Sequence, residues 1–300
     1  MPQALDFIQS QVVTAPYTSW LVGGVAEYFA LPTTEDQVLE AWQWAQDHRM
    51  PVTILGGGSN VLVSDEGIPG LTLCLKNFRD LKTREESGRL HIEVLSGTGK
   101  SELLKAFLKY KLAPALFLAG IPGDVGGGVV MNAGVSESFV PREFCEIVDW
   151  FDVLKPDLKI QRYHHKDIRW EYRHSYHWQP GIITRVGISW PLEPDEAILQ
   201  KVREANKTRL SKQPLDMPSC GSVFINPVGH NAAQLIDSCG LKGFAVGGAQ
   251  VSPKHANFIV NTGKATASEL WQVIQHVSRT VFEKKNIQLK TEVVLLGVWS

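Results

Sequence analysis

The chain has 300 residues, 44% of them hydrophobic and 20% charged, with a formal net charge of −1. A chain of this length and balance buries its core as one large domain or two ordinary ones, with no need of a metal or disulfide staple. Near-neutrality excludes a global field that would gather nucleic acid or an anionic membrane, so a phosphate-bearing ligand must be held by local sites.

The opening segment, MPQALDFIQSQVV, has no basic start, no long apolar stretch and no small-residue cleavage site, so no signal peptide is expected. No run of about 18 apolar residues occurs, so no membrane insertion is expected. Cys74, Cys145, Cys220 and Cys239 lie far apart without a CxxC pair. They indicate neither a zinc site nor a disulfide framework and suit a reducing compartment, and a cytoplasmic protein is expected.

Thr34 predicts a helix cap with Gln37 reaching back, and Val38, Leu39, Trp42 and Ala45 then share one face. Short apolar runs predict strands at 52–55, 71–75 and 91–95. Ser101 is expected to cap a second helix with Leu103, Leu104, Phe107 and Leu108 as its stripe. Strands follow at 147–154 and 182–190. Residues 191–194 (PLEP) mark a division, and a polar helix over 196–211 follows it. A short helix at 231–239 is stopped by Gly240. Thr266 and Glu269 form a capping box before Leu270, Val273, Ile274, Val277 and Val281, and a last strand is expected at 293–298. This mixture predicts an α/β or α+β protein with a larger domain over 1–193 and a smaller one over 194–300.

Two glycine-rich loops stand out. Gly56-Gly57-Gly58-Ser59-Asn60 follows a strand, and bare N–H groups in such a loop can form a concave anion site or simply a turn. The second loop has five glycines in the nine residues 120–128, followed by Met131-Asn132-Ala133-Gly134, all in an apolar setting. It predicts backbone packed against a flat cofactor, or close packing of loop on strand. The GxGxxG fingerprint is absent. Gly97-Thr98-Gly99-Lys100-Ser101 imitates a P-loop but has Val94 where the first glycine is required, so Gly99-Lys100-Ser101 reads as a turn and helix cap.

Tyr172-Arg173-His174-Ser175 lies among Trp170, Tyr176, His177 and Trp178. His164, His165, His174 and His177 invite a metal reading, but no HExxH or acidic cluster supports it, and no metal is expected. A nucleic-acid stacking patch is disfavoured by the neutral charge, and no nucleic-acid partner is expected. Cys220-Gly221 precede Ser222 and leave its hydroxyl open to a ligand, although this is not the GxSxG elbow.

The ordered set of motifs resembles the UDP-N-acetylenolpyruvoylglucosamine reductase family. It consists of Thr18-Ser19-Trp20 to Gly23-Gly24, LGGGSNVLVSDEG (55–67), LAGIPG and MNAG (118–134), YRHS (172–175), GSVFINP (221–227), LKGFAVGGAQVSPKHANFIVNTG (241–263) and 289–297 with Glu292. The resemblance covers nearly the whole chain. It implies an FAD-binding domain of the vanillyl-alcohol oxidase (PCMH) type followed by a smaller α+β substrate domain. It also implies FAD as cofactor, NADPH as co-substrate, and reduction of UDP-N-acetylglucosamine enolpyruvate to UDP-N-acetylmuramate in bacterial peptidoglycan synthesis.

By position, the resemblance assigns proton donation to Ser222, a charge-stabilising role to Arg173 and a third active-site role to Glu292. Gly56, Gly57, Gly58, Ser59, Asn60, Gly120, Ile121, Pro122, Gly123, Gly126, Gly127 and Gly134 are expected at FAD. Asn226, Lys242 and His255 are expected at the UDP-sugar. Some positions depart from the family pattern. Ile225 stands where many relatives have lysine, Asp124 where a small serine is usual, and Val135-Ser136-Glu137-Ser138 replaces a small aromatic-glycine turn. The short interval from Arg173 to Ser222 places the chain in the shorter branch of the family.

Overall fold

A computed structural model describes residues 5–135 and 140–299. Ser136, Glu137 and Ser138 of the departing turn lie outside the described residues. Helices among the described residues are α1 (Glu35–Asp47), α2 (Lys100–Lys109), α3 (Pro114–Leu118), α4 (Val125–Val130), α5 (Ile198–Lys212), α6 (Ala232–Ser238) and α7 (Ala267–Lys285). Helices and strands are mixed, as the α+β class requires. The chain separates into two compact units, residues 1–9, 30–57 and 73–208 in the first, and 10–29, 58–72 and 209–300 in the second. Two early segments thus group with the C-terminal part rather than with the residues that flank them in sequence.

The first unit is built on an antiparallel sheet of five strands. Its order is Leu81–Glu86, Arg89–Leu95, Ile182–Pro191, Val148–Leu154 and Ile160–His164. Ser87 and Gly88 both have positive φ, the two-residue turn that matches strand twist and so fixes the register of the first hairpin. Leu90, Ile92 and Val94 alternate to one face and are buried with Val186, Ile188 and Phe151. The stripe of α2, Leu103 and Phe107, and the α3 residues Ala115, Phe117 and Leu118 close this core together with Val125, Val129 and Phe144.

The second unit packs α6 and α7 around a different core. Leu270, Val273, Ile274, Val277 and Val281 of α7 are buried as their spacing requires, and the Thr266–Glu269 capping box forms. Trp20 is fully buried there. Its Nε1 donates to the Ile259 carbonyl at 2.7 Å, and Asn261 Nδ2 donates to the Trp20 carbonyl at 2.9 Å. Asp65 caps α7 from outside the helix by accepting from the Ala267 and Ser268 N–H groups and from Ser268 Oγ. Val61–Val63 pairs in parallel with Val294–Leu296, which explains why the 58–72 segment belongs with the C-terminal part.

One helix start differs from expectation. Thr34 caps α1 through the Gln37 N–H, but Ser101 does not cap α2. The cap position is Gly99, whose carbonyl accepts from the Glu102 N–H, and Lys100, the first residue of the helix, donates its N–H to the Gly123 carbonyl.

Candidate active site

In the first unit the strand Val52–Leu55 ends at Gly56-Gly57, and the second glycine loop runs from the end of α3 through α4. Three consecutive glycines inside α4 each cost about 1 kcal/mol relative to alanine. Packing explains two of them. A Cβ on Gly126 would meet Ser96 Cβ at 2.8 Å, and one on Gly128 would meet the Phe144 ring at 2.5 Å. The loop is also joined to the turn before α2. The Val125 N–H donates to Thr98 O at 3.0 Å, Gly126 N–H to Ser96 O at 2.7 Å, and Lys100 N–H to Gly123 O at 3.0 Å.

Asp124 caps α4, its Oδ1 accepting from the Gly127 N–H at 2.6 Å, and its Oδ2 accepts from the Gly57 N–H. Lys100 is buried below it and donates Nζ to the Pro122 carbonyl at 2.7 Å. Burial draws the Lys100 ammonium down to about 8, against the pull of Asp124, and the Arg173 charge lowers it further. Burial pushes the Asp124 carboxyl up, opposed by the Gly127 N–H, the Lys100 charge and the Gly57 N–H.

The segment 169–176 folds as a tight hairpin with Glu171 opposite His174, and Arg173 sits in its turn at φ +62. A left-handed arginine costs of order 1 kcal/mol, the kind of local strain that concentrates at functional sites. Its Nη2 donates to the Gly134 carbonyl at 3.1 Å, Nη1 lies 3.8 Å from Glu143 Oε1, and the guanidinium stacks 4.4 Å from the Tyr172 ring centroid. Ser175 anchors the hairpin on the C-terminal end of α4 by donating Oγ to Val130 O at 3.2 Å. Buried Asn132 donates to Glu143 Oε2 and Glu171 O, both at 3.1 Å, and accepts from the Cys145 N–H. Arg173 is thereby delivered to the end of the second glycine loop. Two of the four histidines near the hairpin lie against aromatic rings, His165 on Trp170 and His174 on Tyr176.

In the second unit, the Glu292 N–H donates to the Val223 carbonyl at 2.8 Å, Ile225 N–H to Lys290 O at 3.0 Å, and Phe224 faces Thr291 in an antiparallel bridge. Ser222 and Glu292, 70 positions apart by number, therefore sit on adjoining backbone. Asn60 joins them, donating Nδ2 to Glu292 O at 2.9 Å while its carbonyl accepts from Val294 N–H. Gly58 has φ +66 and its carbonyl accepts from the Ser19 N–H. Cys220 is buried, and burial followed by the Glu292 charge pushes its thiol well up, so it is no thiolate nucleophile.

Asn257 is the residue that sequence reasoning passed over here. It is buried, and its amide brackets Phe224, accepting from the N–H at 2.9 Å and donating to the carbonyl at 2.8 Å, while its own carbonyl accepts from Val223 N–H. An asparagine between two apolar residues in ANFIV was the available signal. Its neighbour His255 accepts from the Asn257 N–H, and burial, then the Lys242 charge, lowers its pKa, leaving the ring neutral at neutral pH. Lys242 itself pairs with Asp237 at 2.7 Å at the surface, and Asn226 Oδ1 accepts from the Ala232 N–H at the start of α6.

Over residues 26–163 the chain matches the model of an FAD binding domain, and over 213–296 that of the UDP-N-acetylenolpyruvoylglucosamine reductase C-terminal domain. It is 41% identical over 299 residues to the UDP-N-acetylenolpyruvoylglucosamine reductase of Synechococcus sp. (strain WH7803), covering 98% of this chain and 95% of the relative. The chain belongs to the UDP-N-acetylenolpyruvoylglucosamine reductase family. A reductase of that name from Limosilactobacillus reuteri is 38% identical, with 94% of this chain and 92% of the relative covered. The crystal structure of UDP-N-acetylenolpyruvylglucosamine reductase from Thermus caldophilus matches with a TM-score of 0.80 at 31% identity, over 97% of this chain and 100% of that one. The chain is thus a flavoprotein oxidoreductase of this reductase family. The first unit of the reductase fits a flavin dinucleotide. Backbone replaces side chains where glycine is enforced, Ile121 and Val130 are half-buried beside the loop, and Lys100 is a buried cation among the same residues.

Proposed function

We propose that this reductase uses NADPH and FAD to reduce the enolpyruvyl group of UDP-N-acetylglucosamine enolpyruvate to UDP-N-acetylmuramate, in the cytoplasm, for peptidoglycan synthesis. FAD binding is assigned chiefly to the part of the chain over 1–193, and UDP-sugar binding to that over 194–300. Bound FAD supplies the chemistry of hydride transfer between NADPH and the double bond. The protein's own groups then manage charge and proton. The Ser222 hydroxyl donates a proton to the carbon alpha to the substrate carboxylate, after hydride reaches the neighbouring carbon. Serine is a weak acid, but the enolate it protonates is a strong base. The Arg173 guanidinium offsets charge that builds on the carboxylate. Glu292, in its protonated form, polarises that carboxylate, or, ionised, it orients a water. Asn226, Lys242 and His255 serve the UDP-sugar, and Lys242 is easily released to it because an exposed ion pair is worth at most about 1 kcal/mol.

The observation that carries this reading is the backbone bond from Glu292 to Val223, which holds Glu292 beside the residue that follows Ser222. The test measures NADPH oxidation with and without UDP-N-acetylglucosamine enolpyruvate, then separates the half-reactions in Ser222→Ala. We expect flavin reduction by NADPH to be unchanged and reoxidation by substrate to slow by about 10²-fold or more. Equal slowing of both halves would make Ser222 structural.

A further inference from the structure

A carboxylate in a loop that receives phosphate is an electrostatic conflict unless its charge is already committed. The Asp124 carboxylate is committed twice. It is 5% exposed, and its two oxygens serve two different segments, Oδ1 the Gly127 N–H within its own loop and Oδ2 the Gly57 N–H of the other glycine loop. Helix capping accounts for the first bond only. The second joins residues 67 positions apart. The fit is close on both sides, because a Cβ on Gly56 would collide with Asp124 Oδ2, and one on Gly57 would lie 3.1 Å from Gly123 Cα. Lys100, 6% exposed, supplies the countercharge from beneath, with its ammonium held by the Pro122 carbonyl and lying 5.4 Å from the Phe144 ring centroid. Neither side chain has a part in the proton and charge handling assigned above.

We propose that Asp124 is a positioning residue for the flavin, an internal anion backed by Lys100 that ties the two glycine loops together through the Gly57 and Gly127 N–H groups before the cofactor arrives. The inference rests on the reading that these loops hold FAD. Asp124 acts on the cofactor through loop shape, and a preformed pair of loops spares the ligand the cost of ordering them.

The test uses the full chain stripped of flavin, as wild type, Asp124→Ser and Asp124→Asn. Serine and asparagine are N-caps as good as aspartate, so both variants keep the α4 cap. Neither offers two acceptor oxygens, so both lose the tie to Gly57. FAD affinity is read from quenching of flavin fluorescence, and loop order from amide hydrogen exchange. We expect FAD binding to weaken about 10-fold or more in both variants, the scale of a charge-assisted hydrogen bond. The Gly57 amide should be protected in wild-type apoprotein and exchange at least about 10-fold faster in both variants. The Gly126 amide, donated to Ser96 O, should keep its protection. Unchanged or tighter FAD binding in the variants overturns the proposal, as does an unprotected Gly57 amide in wild type, a measurement that needs no variant to fold. If wild-type apoprotein does not take up FAD at all, the flavin reading itself fails, and the positioning role of Asp124 with it.

Discussion

Around Asp124 and Lys100 the polar groups are buried and answered by backbone of the same unit, whereas around Asn226 and Lys242 they stand at the surface with partners that water could replace. Buried polar groups are costly unless satisfied, so the first arrangement tolerates little change and is organised in advance. The exposed pair of Lys242 and Asp237 costs little to break. The region expected to keep a cofactor is therefore the rigid one, and the region expected to exchange a substrate keeps its charged side chains free to move. The second unit also has buried and satisfied polar groups, and the exception nearest its candidate site is the bracket that Asn257 makes around Phe224, which fixes the backbone beside Ser222.

That exception gives the largest expected effect. Asn257→Ala leaves a buried N–H and a buried carbonyl of Phe224 without partners, at about 1–3 kcal/mol each, so a loss of about 3 kcal/mol in unfolding free energy is expected, read from denaturant unfolding. A loss under about 1 kcal/mol would mean that the site in the second unit is as loose throughout as its surface charges. Arg173→Ala comes next. Flavin reduction by NADPH should persist while reoxidation by substrate slows about 10²-fold, or about 2.7 kcal/mol of barrier. Normal turnover in that variant would leave its strained turn without a functional reason.

A smaller effect is expected from Asp65, which caps α7 in the second unit. Burial raises its pKa, but bonds from the Ser268 hydroxyl and the Ser268 and Ala267 N–H groups outweigh this and hold the carboxyl below its ordinary value. A depressed carboxylate stabilises the fold above its unfolded pKa of about 3.9 and loses that contribution as pH falls through the lower folded value. Asp65→Asn should cost about 1 kcal/mol at pH 7, and its thermal midpoint should converge with that of wild type at the lowest pH at which both stay folded. A gap independent of pH would assign the effect to packing. Lys242→Ala should change stability least, by less than about 0.5 kcal/mol, while raising the KM for the UDP-sugar and leaving flavin reduction untouched. A large loss of stability there would erase the contrast between the two regions.

Local chemistry was readable along the chain wherever a pattern closes within a few residues. The Thr34 cap, the Thr266–Glu269 box, the α7 stripe and the three central strands of the five-stranded sheet each follow from short-range spacing, whereas its edge strands, Leu81–Glu86 and Ile160–His164, are polar or exposed along most of their length and gave no such signal. The motif order also pointed to the family to which the chain belongs. Ser101 shows where such reading ends, since the helix starts earlier, after Gly99, where the Lys100 N–H is answered by the carbonyl of Gly123, 23 positions away. The incomplete P-loop motif likewise read Lys100 as part of a turn and helix cap, and only its packing with the second glycine loop put its ammonium in the interior.

What the sequence by itself determined is the longer amphipathic helices and the most apolar strands, the glycines of the two loops, and the residue types that the family chemistry needs. Tertiary structure decided that 10–29 and 58–72 pack with the C-terminal part, that Glu292 lies against the Ser222 segment, and that Asp124 spans two loops. The physical reason is that strand pairing and side-chain bonds between distant segments depend on register and burial, which no local window of sequence contains.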